Sequence, residues 1–172
     1  SEAVCNVPEI MAGRKVVAIG ANAFGNCTDL RYVLLPDTIK MIENYSFSDC
    51  ASLIAVSLPK SLISIGNCSF VNCAALTNLS FPDTLTEIGS LAFGGCSSLQ
   101  HVILPKGIKE IAESTFADCA NLVSVTCQDS LTIIGYKAFD GCTSLKNLML
   151  SKNLEKIGWA AFRGCRQLNS LA

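Results

Sequence analysis

Ten cysteines and one histidine are the residues of this 172-residue chain most able to do chemistry. Thiolates bind metals and attack electrophiles, and an imidazole serves as base or ligand. Seven of the cysteines stand at Cys27, Cys50, Cys73, Cys96, Cys119, Cys142 and Cys165, a spacing of 23 without one insertion. Zinc sites use paired short spacings such as C-x-x-C, and one thiol per 23 residues supplies none. If the repeats stack as coils, equivalent side chains ~4.8 Å apart exceed the ~3.8 Å Cβ separation that a disulfide prefers. The seven are therefore expected to be reduced, shielded packing thiols. His101 must carry any Ser-His-Asp, Cys-His or His-ligated metal proposal. Its equivalents in the neighbouring repeats are Asn78 and Ser124, and its column holds no carboxylate to orient the ring. No glycine-rich loop opens a helix to cradle phosphate. The sequence thus shows no catalytic residue, no metal set and no cofactor site.

The elements that position these residues follow from the same period. Phenylalanine recurs at Phe24, Phe47, Phe70, Phe93, Phe116, Phe139 and Phe162, three residues before each cysteine. Leucine follows each cysteine from Leu30 to Leu168, and isoleucine stands five residues before each phenylalanine from Ile19 to Ile157. One repeat reads Cys27-x-x-Leu30-x-x-Val33-x-Leu35-Pro36-x-x-Ile39-x-x-Ile42-x-x-x-Ser46-Phe47, which contains the L-x-x-L-x-L skeleton of leucine-rich repeats. The alternation at Leu30, Val33 and Leu35 predicts a short strand with one face inward, paired in parallel with its copies. Proline at Pro36, Pro59, Pro82 and Pro105 ends that strand, since it has no N–H to donate. A second extended piece carries Ile39-x-x-Ile42, and a small helical turn is expected around the Ala-Phe pair; no long helix is predicted. Asn26, Asp49, Asn72, Gly95, Asp118, Gly141 and Gly164 form a column of types that tolerate positive φ, which predicts a left-handed turn residue there. Cys127 stands in the inward Leu35 column and is expected in the core, whereas Cys5 and Cys68 fall at variable positions and are expected to be accessible.

These repeats predict one solenoid domain: residues 1–15 a partial leading repeat, residues 16–172 seven 23-residue repeats with the last truncated. The segment Val7-Pro8 lies five residues too far from Val16-x-x-Ile19, and Leu168-x-x-Leu171 begins an eighth strand pattern, so the chain reads as part of a longer protein. Thirteen basic and 14 acidic residues give a net charge of -1 and are scattered, a balance that argues against nucleic acid or an anionic membrane as partner. No apolar run reaches the ~18 residues of a spanning helix, so direct membrane insertion is not expected.

The residues resemble those of BspA-like bacterial leucine-rich repeats, whose pattern is similar to L-x-x-I-x-L-P-x-x-L-x-x-I-G-x-x-A-F-x-x-C. The resemblance covers residues 16–172, and Ile88-Gly89-x-x-Ala92-Phe93-x-x-Cys96-x-x-Leu99 follows the pattern closely. Gln128 and Ser151 replace the proline in two coils, and Glu43 and Ala112 replace the glycine, which puts turn geometry there in question. The resemblance implies a right-handed solenoid at a bacterial cell surface or secreted, adhesion, and protein partners that include host extracellular-matrix proteins; similar repeats occur in some parasitic protists.

With the inward columns given over to packing, function is left to the outward strand residues. Tyr32, Leu34, Asn78, Ser80, His101, Ile103, Ser124, Asn147 and Met149 are the candidate ligand-binding set, on a continuous, small, weakly polar face roughly 30 Å long at sheet spacing. Such a face suits a protein or peptide better than a small molecule. Three readings stand: a recognition or adhesion module, a passive spacer whose outward face is merely the solvated side of a sheet, and an enzyme whose catalytic groups lie elsewhere, the least supported. The column after the proline alternates as Asp37, Lys60, Asp83, Lys106, Asp129, Lys152, so stacked coils set opposite charges side by side and a slip by one coil would set like charges together. Tyr136 and Trp159 share another column and are expected to stack.

Overall fold

The computed structural model describes residues 3–169; Leu171, the second leucine of the expected eighth strand pattern, lies outside them. The seven phenylalanines stand in one internal row. Successive rings from Phe24 to Phe162 stack nearly parallel at 5.0, 5.1, 5.4, 5.7, 5.6 and 5.5 Å between centroids, within the favoured range for aromatic pairs. The five inner rings are fully buried and the two outer ones half-buried. Each 23-residue unit is therefore one turn of a β-solenoid, with no helix among the described residues.

Two parallel ladders, each interrupted once, follow the stack. In the first, Val4–Asn6 pairs with Tyr32–Leu34 and Tyr32–Leu34 with Ala55–Ser57; further on, His101–Ile103 pairs with Ser124–Thr126 and Ser124–Thr126 with Asn147–Met149. The central residues Val33, Val56, Val102, Val125 and Leu148 point into the core. In the second, two-residue strands ending on Ile19, Ile42, Ile65 and Ile88 form one sheet, and those ending on Ile111, Ile134 and Ile157 form another. The five-residue excess near the start folds as an antiparallel hairpin, Ile10–Met11 with Arg14–Lys15, turned at Ala12 and Gly13.

The third side of each coil differs from the expected helical turn. In the first coil the N–H groups of Asn22, Phe24 and Asn26 donate to the carbonyls of Asn44, Ser46 and Ser48 in the next coil, while those of Ala23, Gly25 and Cys27 close four-residue turns within the coil. Alternate amides are thus diverted along the solenoid axis, which no α-helix permits. The diversion requires left-handed residues on both sides of each phenylalanine. The column from Asn26 to Gly164 has positive φ throughout, as its composition predicts. A second column, Asn22, Tyr45, Cys68, Leu91, Ser114, Lys137 and Ala160, also has positive φ, and apart from Asn22 its residue types carry no signal of it.

One coil breaks the first ladder. Phe81 occupies the column of Leu35, Leu58 and Leu104; its ring meets Phe93 edge-on at 5.6 Å and 63°. The preceding residues Asn78–Ser80 form no strand; their one ladder contact is the Asn78–His101 bridge, although Leu79 still packs on the core.

Candidate functional site

On each outer strand the inward residue is locked in the core and its two neighbours face solvent. Tyr32 and Leu34 flank buried Val33, His101 and Ile103 flank Val102, Ser124 flanks Val125, and Asn147 and Met149 flank Leu148. The face is not continuous as expected: no strand forms at Asn78–Ser80, and this break divides it into two patches. In the first, Tyr32 and Leu34 lie in register with Ala55 and Ser57. In the second, Asn78, His101, Ser124 and Asn147 form a polar row, and Ile103, Thr126 and Met149 a parallel one. Leu34, Ile103 and Met149 are 50%, 65% and 62% exposed, so the face is more apolar than its small residues suggest. Ser80 borders a groove of about 370 Å³ together with Asn78, Phe81, His101, Ile103 and Lys106.

His101 Nδ1 lies 2.8 Å from Ser124 Oγ. A serine nucleophile needs an imidazole held by a third group, but the residues in register on either side are Asn78 and Asn147. The contact positions the ring as a surface hydrogen-bonding group. Among the described residues, no three or more His, Cys, Asp or Glu are arranged to hold a metal ion. No helix among them is long and apolar enough to cross a membrane.

The cysteine column forms a second internal row. Sγ of Cys50, Cys73, Cys96, Cys119, Cys142 and Cys165 each donates to the carbonyl of the phenylalanine 26 residues earlier, at 3.0–3.2 Å. Burial pushes the Cys50 and Cys165 thiols up to about 11 and Cys127 to about 12, and raises Cys73, Cys96, Cys119 and Cys142 further. Two expectations need correction. Cys27 is exposed and Cys165 only half-buried, because neither has a coil on its outer side among the described residues, so the seven are not uniformly shielded. Cys5 is half-buried rather than open: it pairs with Val33 and packs on the core. Cys68 is likewise half-buried.

The charged column is in register, but only its last pair closes, Lys152 Nζ to Asp129 at 2.9 Å. A stronger pair escaped the sequence reading. Arg163 binds Asp140 through two parallel bonds of 2.8 and 2.5 Å, and the guanidinium holds the Asp140 carboxyl below its ordinary range. Only the coil-to-coil distance of 23 links the two residues in sequence. Tyr136 and Trp159 stack as expected, at 5.4 Å and 16°, and both are exposed.

The crystal structure of a leucine-rich repeat protein of T. pallidum superposes with a TM-score of 0.94 at 32% identity, over 99% of this chain and 80% of that one. A leucine-rich cell surface protein of Faecalibacterium prausnitzii matches with a TM-score of 0.92 at 32% identity, over 99% of this chain and 47% of that one, so the chain spans about half its length. A leucine-rich repeat protein of Eubacterium ventriosum, at 16% identity and a TM-score of 0.59 over 97% of this chain and 47% of that one, shares the fold alone. No curated protein matches the chain. The BspA type leucine-rich repeat model matches in six copies over residues 3–120 and 63–172, and the chain therefore belongs to that family, a repeat scaffold that is generally non-catalytic and whose members are typically protein-interaction modules.

Proposed function

We propose that this chain is a non-catalytic protein-binding module of a cell-surface or secreted protein, acting in adhesion through its outward strand face. The observation that carries this reading is the pair of parallel rows on the second patch. Exposed Ile103 and Met149 lie beside hydrogen-bonding Asn78, His101, Ser124 and Asn147, while the inward strand columns are given over to packing. Apolar anchors flanked by polar groups are the usual make-up of a protein contact. Tyr32 and Leu34 extend the face across the Asn78–Ser80 break, and Ser80 lines the groove beside it. The F. prausnitzii relative, described as a cell surface protein, supports the location, and the family resemblance supports host extracellular-matrix proteins as partners.

The test is binding of the purified chain to a panel of extracellular-matrix proteins, with an Asn78→Glu/His101→Glu variant as probe. Both side chains are exposed, so the variant folds, and binding is expected to fall at least about tenfold. Unchanged binding removes the outward face from the reading. No binding to any panel member leaves the passive spacer as the better account.

A further inference from the structure

The regular second ladder makes its one failure conspicuous. Along the stack, Lys40, Ile63, Thr86, Thr132 and Glu155 each donate their N–H to the carbonyl of the residue 23 earlier at 2.8–2.9 Å, and Glu43, Gly66, Gly89, Gly135 and Gly158 donate to the isoleucine carbonyl of the preceding coil at 2.7–2.9 Å. Lys109 and Ala112, in the same two columns, make neither bond, and Ile111 does not pair with Ile88. A cleft of about 540 Å³ opens there, lined by Thr86, Ile88, Gly89, Lys109, Glu110 and Ala112.

Three residue choices explain the opening. A Cβ at Gly66, Gly89, Gly135 or Gly158 would lie 2.5–2.8 Å from the backbone of the coil before it, so glycine is what lets these four coils stack closely. Ala112 brings a methyl group to it. Glu43 also departs from glycine, but its carboxylate accepts the Ala21 N–H at 3.0 Å and its ladder bond survives; an alanine methyl has no such recourse. Glu87 and Glu110 occupy one column in adjacent coils, where like charges directly opposite oppose pairing. Gly107 stands where Ser61, Thr84 and Ser130 donate hydroxyls to the coil before them, and its backbone moves in so far that a Cβ would meet Leu85 O at 2.5 Å.

The coil pair is thus close at Gly107 and apart at Lys109–Ala112. On the turn side it stays bonded, with Leu91, Phe93 and Gly95 donating to Glu113, Thr115 and Ala117 at 2.8–2.9 Å. The phenylalanine row is widest at this step, 5.7 Å between Phe93 and Phe116. We propose that this junction is a built-in joint of the solenoid, about which the blocks on either side bend by opening and closing the second ladder. The joint lies one coil beyond the break in the first ladder. The coil from Asn78 to Gln100 therefore reaches the preceding block through the second sheet and the turns, and the following block through the turns, the Asn78–His101 bridge and the Val123 and Ser124 amides, which donate to Gln100 O at 2.8 and 3.3 Å. Bending there reshapes the groove beside His101.

Amide hydrogen exchange on the whole chain tests this. The Lys109 and Ala112 amides are expected to exchange at least about tenfold faster than Thr132 and Gly135, their equivalents one coil on. In an Ala112→Gly/Glu110→Ser variant, both should slow to the rates of those equivalents. Gly135→Ala, the reciprocal change, should accelerate Thr132 and residue 135. Equal rates in the natural chain would overturn the joint, as would fast rates that the closing variant leaves unmoved. If the closing variant does not fold, unchanged protection of Thr132 in Gly135→Ala overturns it alone.

Discussion

Cys96 donates its thiol hydrogen to the main-chain carbonyl of Phe70 across 3.2 Å, a bond that spans 26 residues of sequence and one coil of structure. Its copies hold the cysteine row to the phenylalanine row, and burial keeps each thiol neutral.

That neutrality predicts alkaline destabilisation. The folded chain binds the thiol protons more tightly than the unfolded chain, so this stabilisation is complete below the ordinary thiol value of 9.0 and is lost as pH rises towards about 11 for Cys50 and Cys165 and about 12 for Cys127. The urea midpoint should fall between about pH 8 and about pH 10.5, and fall less in a Cys96→Ala/Cys119→Ala variant. A flat profile contradicts the reading. At neutral pH, native labelling should modify Cys27 well ahead of Cys73, Cys96, Cys119 and Cys142.

The aromatic row predicts a position-dependent cost for one substitution. Phe93→Ala leaves a void in the middle of the stack and should cost about 3–5 kcal/mol, whereas Phe162→Ala, at a half-buried end, should cost clearly less. Chemical denaturation of the two variants gives the comparison.

The two left-handed columns predict opposite signs for reciprocal changes. Ala160 sits at φ 53°, so Ala160→Gly should stabilise by up to about 1 kcal/mol. Gly95 sits at φ 73° with a Cβ position 2.5 Å from Asn72 Oδ1, so Gly95→Ala should destabilise by at least about 1 kcal/mol. Thermal melts of both variants test the pair.

Ser69 is fully buried and its hydroxyl has no partner, whereas Ser46 in the same column donates to Glu43 O at 2.6 Å. Ser69→Ala should therefore raise stability by about 1 kcal/mol, and Ser46→Ala should lower it. Equal effects on the melting temperature would refute the distinction.

The charge ladder predicts an uneven response to salt. Asp129–Lys152 is the one closed pair of its column among the described residues, so Lys152→Gln should remove salt-dependent stability that Lys60→Gln and Lys106→Gln leave in place. The measurement is the melting temperature of each variant at low and high ionic strength.

Much of the coil is legible without coordinates because a fixed 23-residue spacing stacks equal letters on one another. The inward strand residues, the Asn26–Gly164 turn column, the place of His101 between Asn78 and Ser124, and the Tyr136–Trp159 stack all follow from it. The second left-handed column does not, since Tyr45, Leu91 and Lys137 take positive φ where their own amides donate to the next coil. Nor does the bonding of Arg163 to Asp140, which depends on side-chain reach rather than register.

Sequence alone determines the period, and with it which side chains face inward, because one uninterrupted repeat admits one register. Only the tertiary structure decides how closely each pair of coils approaches. That distance depends on single atoms at the contact, the methyl of Ala112 and the ring of Phe81, which leave the repeat pattern almost unchanged while parting the ladders beside them.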